Sequence, residues 1–236
     1  MADYFAGDVH LRLDFPERAA RLAAWVATLR PDDALTLVGD LCDFYFASRQ
    51  LRDERALDDC AGLRALADFR DRGGSLAVLP GNHDFWLLDF YERVLGARRL
   101  VEPYCTTSHG LRLRVVHGHL LGARSAWKSW MEGRAFLRGF RAVPGAVARR
   151  LDLALEARNL RTRDAVDVRH LALYHKYADA HADDADLVVF GHIHGALDDA
   201  ARSPRVVVVG GWHARASYLA VDDRGARLVI ERDRNA

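Results

Sequence analysis

Short apolar runs that end in polar clusters alternate, over the N-terminal part of the chain, with stretches whose apolar positions recur every three or four residues. The runs "YFAGD", "ALTLVGD" and "SLAVLPGN" are apolar at consecutive positions, as strands buried on both faces are. Between them, "ERAARLAAWVATL" and "ALDDCAGLRALADFR" carry the helical period. The order predicts a β-α-β-α-β rhythm, and functional side chains in such sheets gather just past the carboxyl ends of the strands. After residue 98 the pattern changes. "LRLRVVHGH" alternates like a strand, residues 124–182 read as mostly helical with breaks near Pro144 and Asn159, and "ADLVVFGHIHG" is another buried strand with a polar end. The tail "PRVVVVGGWHARASYLAVDDRGARLVIERD" predicts strands joined by turns such as "DDRG".

Composition narrows this picture. A chain of 236 residues, half of them hydrophobic, is read as a single domain over residues 1–236. Thirty-four Lys and Arg against 33 Asp and Glu give a net charge of +1, which argues against nucleic-acid binding by bulk attraction. The charge is unevenly placed, however. Residues 121–163 hold ten basic side chains and three acidic ones, a surplus of +7 that leaves −6 for the rest. The start "MADYFAGDVH" has no basic region followed by an apolar one, and no run approaches the length of a membrane span, so a cytoplasmic protein is expected. Cys42, Cys60 and Cys105 are too few and too irregular for a disulfide frame or a CxxC zinc site.

Chemistry enters at the strand ends. Asp8-Val9-His10, Gly39-Asp40-Leu41-Cys42-Asp43, Gly81-Asn82-His83-Asp84, His117-Gly118-His119 and Gly191-His192-Ile193-His194 each follow an apolar run. A pair of metal ions needs several oxygen and imidazole donors converging from separate elements, and one carboxylate can bridge both ions. Pairs spaced by two, such as Asp8 with His10 or His192 with His194, would face the same way on an extended segment, so each could hold one metal. Asp84 is read as the N-cap of the amphipathic segment "FWLLDFYERVL".

With "GDVH", "GDLCD", "GNHD", "HGH" and "GHIH" in this order, the chain resembles the calcineurin-like metallophosphoesterases over nearly its whole length. The resemblance implies an α/β fold of two packed β-sheets sandwiched between helices. It implies one metal held by Asp8, His10, Asp40 and His194, and another by Asp40, Asn82, His117 and His192. His83 matches the histidine over the metals that contacts the phosphoryl group, and Asp43 the acid that orients it. The implied reaction is attack on phosphorus by a metal-bound hydroxide. Of the remaining histidines, His119 is expected near the metals and His109, His170, His175, His181 and His213 mostly away from them.

Within that superfamily the chain is similar to the UDP-2,3-diacylglucosamine pyrophosphohydrolases of lipid A synthesis. The similarity lies in the glycine-tryptophan turn of the tail and in the helical insertion, residues 121–182, which in that group forms a lid over a lipid. It implies two manganese ions, a UDP-linked lipid cleaved to UMP and 2,3-diacylglucosamine 1-phosphate, and peripheral contact of the basic insertion with the inner face of the inner membrane. It implies substrate contacts from Asn82, Trp127, Arg158, Arg161 and Arg163, with no nucleic acid and no obligate protein partner. Trp127, Trp130, Phe136, Leu137 and Phe140 would shelter acyl chains or dip into the membrane interface, or else pack the insertion onto the body. The chain departs from the best-known branch of that group, which has Arg in place of His83, and it has "HGH" where His-Gly-Asp is usual. Two alternatives stand beside this reading: a phosphodiesterase or phosphatase acting on soluble nucleotides or phosphoproteins, and a non-catalytic scaffold.

Overall fold

Three strands, β1 (Asp3–Ala6), β2 (Ala34–Val38) and β3 (Ser75–Leu79), run parallel with Asp3 opposite Ala34 and Ala34 opposite Ser75. β4 (Arg98–Arg99) continues the sheet beyond β3, and the hairpin of β10 (Ser217–Asp222) and β11 (Gly225–Ile230) continues it beyond β1, giving the order β11-β10-β1-β2-β3-β4. A second sheet, in the order β5-β6-β7-β9-β8, is built from β5 (Tyr104–Ser108), β6 (Leu111–Val116), β7 (Leu187–Phe190), β8 (Leu197–Asp199) and β9 (Arg205–Val208). In it β6, β7 and β9 are parallel. The computed structural model describes residues 1–51, 55–84, 87–122, 130, 134–159 and 168–231.

Consecutive apolar positions are explained by two opposite burials. Phe5, Val38, Ala77 and Leu79 of the first sheet meet Leu113, Val115, Leu187, Val189 and Val207 of the second in one core between the sheets. Their neighbours Leu35, Leu37, Leu76 and Val78 point the other way, into a core shared with α1 (Pro16–Val26), α2 (Arg55–Asp59), α3 (Ala61–Asp71) and α4 (Leu88–Arg93). On the far side, Val188, Phe190, Val206 and Val208 pack against Tyr174 and Ala178 of α7 (Val168–Asp179). The layers therefore run helix, sheet, sheet, helix, as expected. One predicted helix is two: "ALDDCAGLRALADFR" breaks at Cys60, whose backbone is extended (φ −133°, ψ 103°). The break lets Leu57 before it and Leu63 after it enter the same core.

Between β6 and β7 lie α5 (Arg134–Ala142), α6 (Gly145–Asn159) and α7, with the first break at Pro144 as its fixed φ and missing N–H dictate. This stretch is docked on the loop that follows β2. Arg49 donates from Nη1 to the carbonyl oxygens of Phe140 (2.7 Å) and Val143 (2.9 Å) at the end of α5, where helix carbonyls have no partner of their own. Arg141 Nε donates to the Ser48 carbonyl at 2.9 Å. An aromatic row runs across the junction: Phe140 lies 4.8 Å from Phe44, and Trp130 5.0 Å from Phe136, which itself lies 6.0 Å from Phe44. Among the described residues, no helix is long and apolar enough to cross a membrane.

Candidate metal centre

The chain leaves β1, β2 and β7 through backbone that ordinary side chains avoid. Asp8 (φ +52°), His10 (+50°), Asp40 (+51°) and His192 (+65°) all sit in the left-handed region, at a cost of about 1–3 kcal/mol each. The turns are held by Asp8 N–H on the Gly39 carbonyl and His10 N–H on the Asp40 carbonyl, both at 3.0 Å. Two glycines are dictated by the side chains that crowd them. A Cβ on Gly39 would lie 2.3 Å from His117 Nδ1, and one on Gly81 would lie 2.1 Å from Asp40 Oδ1.

At this edge of the sandwich three groups of potential ligand atoms form, each with its atoms within 4.8 Å of one another: Asp8, His10 and His194; His10, Asp40 and His83; and Asp40, His117 and His192. Both sheets contribute to them. His10 Nε2 lies 3.9 Å from both Asp8 Oδ1 and Asp40 Oδ2, and His194 Nε2 lies 3.9 Å from Asp8 Oδ1. His117 Nε2 is 3.5 Å from Asp40 Oδ2 and 3.3 Å from Asn82 Oδ1. The residues of the two expected ligand sets lie at this one edge, with Asp40 grouped once with His10 and His83 and once with His117 and His192, and Asp8 grouped with His10 and His194. The spacing of two does not make His192 and His194 face the same way, because His192 is left-handed and not extended: it lies with Asp40 and His117 while His194 joins Asp8 and His10, the division that the resemblance implies.

The donor atoms fit cations. Asp8 Oδ2 accepts the His192 N–H at 2.8 Å, but Asp8 Oδ1 is buried with no hydrogen-bond partner. His10 Nε2 and His194 Nε2 stand 3.2 Å apart, so both cannot carry protons on facing nitrogens. His117 donates from Nδ1 to the Val38 carbonyl (2.8 Å), which turns Nε2 toward Asp40 and Asn82. Burial, with Asp40 adding to it, pushes the Asp8 carboxyl well above the usual range. Burial also opposes the Asp40 charge, but His117, His83 and His10 outweigh it and hold this carboxyl well below that range. For His10 and His192, burial and neighbouring imidazoles drive the pKa well down. His83 and His117 go the other way: Asp40 leads the groups that overcome burial and push them up to about 9 and about 10.

His83 is held by its backbone N–H on Asp40 Oδ1 (2.8 Å) and by Nδ1 at 3.1 Å from Asp43 Oδ1. Asp43 also accepts from Arg12 Nη1 at 3.1 Å. Asp84 is not the helix cap that its position suggested: α4 starts after Leu87 with no side-chain cap. The carboxylate is fully buried and accepts the N–H groups of Leu41 (2.7 Å) and Gly81 (2.9 Å) and the Tyr91 hydroxyl (2.6 Å), tying together the loops that carry Asp40 and Asn82.

Three further histidines gather here. His119, 5.2 Å from the His117 ring, is where it was expected. His213 was not foreseen, yet its ring lies 4.7 Å from His194 and 5.5 Å from His10. The signal was present, since "VVVVGGWH" is one more apolar run ending in glycines and an imidazole. His170 lies 5.5 Å from His192 but comes from α7, outside the strand-end pattern. Trp127, Arg161, Arg163 and the side chains of Arg158 and Leu137 lie outside the described residues.

Comparison with known proteins gives one family: the model of the calcineurin-like phosphoesterases matches residues 4–196. A protein of Porphyromonas gingivalis named UDP-2,3-diacylglucosamine hydrolase is 27% identical over 263 residues, covering 97% of this chain and 96% of that protein. One of the same name from Aeromonas salmonicida is 27% identical over 250 residues, covering 97% and 92%. Among solved structures, an archaeal phosphodiesterase aligns over 98% of this chain and 100% of its own, with a TM-score of 0.44 and 13% identity.

Proposed function

The chain belongs to the calcineurin-like phosphoesterase family and is a metal-dependent phosphoesterase, and from that premise we propose that it cleaves the pyrophosphate bond of UDP-2,3-diacylglucosamine, giving UMP and 2,3-diacylglucosamine 1-phosphate. One observation carries the substrate: the near-full-length similarity to hydrolases of that name. The aromatic row from Phe44 to Trp130 supports it, because it begins one residue from Asp43 and offers an apolar surface beside a charged centre.

Asp8, His10, Asp40 and His194 would hold one divalent ion, and Asp40, Asn82, His117 and His192 the other, with manganese suited to this mixture of carboxylate, amide and imidazole. Such ions supply Lewis acidity toward a phosphoryl group and a nucleophile at neutral pH. Asp40 supplies the shared negative charge. His83 is taken as a substrate contact and not a ligand, in the place of the histidine that lies over the metals in the family, with Asp43 and Asp40 holding its Nδ1 and its backbone N–H. Asp43 orients the ring through Nδ1, so that Nε2 is the nitrogen that would face a phosphoryl oxygen or the departing group and donate to it.

Residues 121–182 act in this reading as a lid. Trp127, Arg158, Arg161 and Arg163 are its proposed contacts to the substrate, beside Asn82. The +7 surplus over residues 121–163 and the exposed Trp130, Val147 and Leu151 support peripheral contact with an anionic membrane surface on its cytoplasmic side, with each basic residue giving about 1 kcal/mol there. Neither a nucleic acid nor an obligate protein partner enters the proposal.

The test is turnover with manganese on UDP-2,3-diacylglucosamine, on deacylated UDP-glucosamine and on bis(p-nitrophenyl) phosphate. The lipid should be preferred, with kcat/KM falling as acyl chains shorten by up to ~0.8 kcal/mol per methylene removed from contact. Equal turnover of the deacylated sugar nucleotide would discard the lipid and point to soluble nucleotides.

A further inference from the structure

We propose that Asp152, on α6, is a positioning residue for His83, acting through Arg12 and Asp43, so that the chemistry depends on α6 being seated. The inference rests on reading His83 as the phosphoryl contact. The Arg12 guanidinium is 3% exposed and donates in four directions. Nη1 reaches Asp43 Oδ2 (3.1 Å) and Asp152 Oδ1 (3.2 Å), while Nη2 reaches Asp14 Oδ2 (3.0 Å) and Asp152 Oδ2. Asp152 therefore takes both nitrogens of the fork, the bidentate arrangement that fixes a guanidinium in its plane. Arg149, three residues earlier on α6, pairs with Asp14 and places its guanidinium 5.6 Å from the Tyr45 ring, so a second basic group seats the same helix on the segments that follow β1 and β2.

On the other side of this guanidinium lies the centre. Asp43 accepts Arg12 on Oδ2 and faces His83 Nδ1 with Oδ1. One buried cation thus touches the carboxylate that orients His83 and the carboxylate of a helix 140 residues away in sequence. Asp152 is in none of the three groups of candidate metal ligands. Without its carboxylate, Arg12 loses the two-point contact that sets its plane, Nη1 is no longer aimed at Asp43, and the His83 ring loses its fixed orientation. Lifting α6 would have the same consequence.

The experiment is a double-mutant cycle of Asp152→Asn and His83→Ala in the manganese-loaded protein with bis(p-nitrophenyl) phosphate, a substrate with no acyl chain. Asp152→Asn should lower kcat about tenfold, as partners that orient reacting groups do, with KM and metal content held. In the His83→Ala background it should cost nothing further, because the route through His83 is already cut. In the metal-free protein, Asp152→Asn should also shift the imidazole resonances of His83. Arg12→Lys keeps the charge but lacks the fork, and should show the same loss and the same non-additivity. Equal losses in both backgrounds, or none, would overturn the positioning role while His83 keeps its assignment, provided His83→Ala itself slows turnover with both metals retained. Full activity of His83→Ala would instead overturn the reading of His83 and this inference with it.

Discussion

Protonation at single residues decides how this centre takes up metal. His117 Nδ1 donates to the Val38 carbonyl, so Nε2 is the atom left to ligate, and in the metal-free chain it carries a proton because Asp40 and its neighbours push the pKa up to about 10 against burial. A cation must displace that proton. The sign follows: the protonated form dominates below about 10, so metal binding releases protons and apparent affinity rises with pH through neutrality. Manganese titrations in two buffers of different ionisation enthalpy should show at least about one proton released, and affinity climbing up to about tenfold per pH unit per proton between about pH 6 and pH 8. A flat profile would show that Nε2 carries no proton for the metal to displace. The candidate ligands were legible in the sequence because each follows an apolar run. His170 was not, since a helix shows a donor only through a neighbour that folding supplies.

Loops and helices show the same division between what a local pattern encodes and what packing adds. Asp84 reads as a cap because capping is a local rule, whereas its actual partners, Leu41 and Tyr91, are set by the parallel pairing of β2 with β3 and by the seating of α4. Its carboxylate is the joint between two ligand-bearing loops. Asp84→Ala leaves three buried N–H groups, of Leu41, Cys42 and Gly81, and a hydroxyl without their acceptor, and should destabilise the fold by about 3 kcal/mol or more. Asp84→Asn, which keeps one acceptor oxygen, should lose less. Urea unfolding midpoints measure both, and a loss below about 1 kcal/mol for Asp84→Ala would show that the joint is not held by this carboxylate. Cys60 gives the parallel case among helices: the helical period runs through it, and only the shared core of Leu57 and Leu63 requires the break.

At the scale of the whole molecule, the sandwich itself was foreshadowed by its doubly apolar strands, while the pairing of β6 with β7, on either side of the helical insertion, depends on contacts that no short window contains. The centre draws Asp8 and Asp40 from one sheet and His117, His192 and His194 from the other. A cation held there acts as a rivet between the two halves of the sandwich. Ligand that binds only the folded chain stabilises it in proportion to RT ln(1 + [L]/Kd), about 2.7 kcal/mol at a hundredfold excess over Kd. The added protection should therefore appear at once in both sheets, so that hydrogen exchange slows together at the ends of β1 and β7 when manganese is added to chelator-treated protein. Protection confined to one sheet would mean that the rivet spans only one plate. A site drawn from both plates also couples them: without the ion, the apolar core from Phe5 to Val207 would be left to hold the sheets together at this edge.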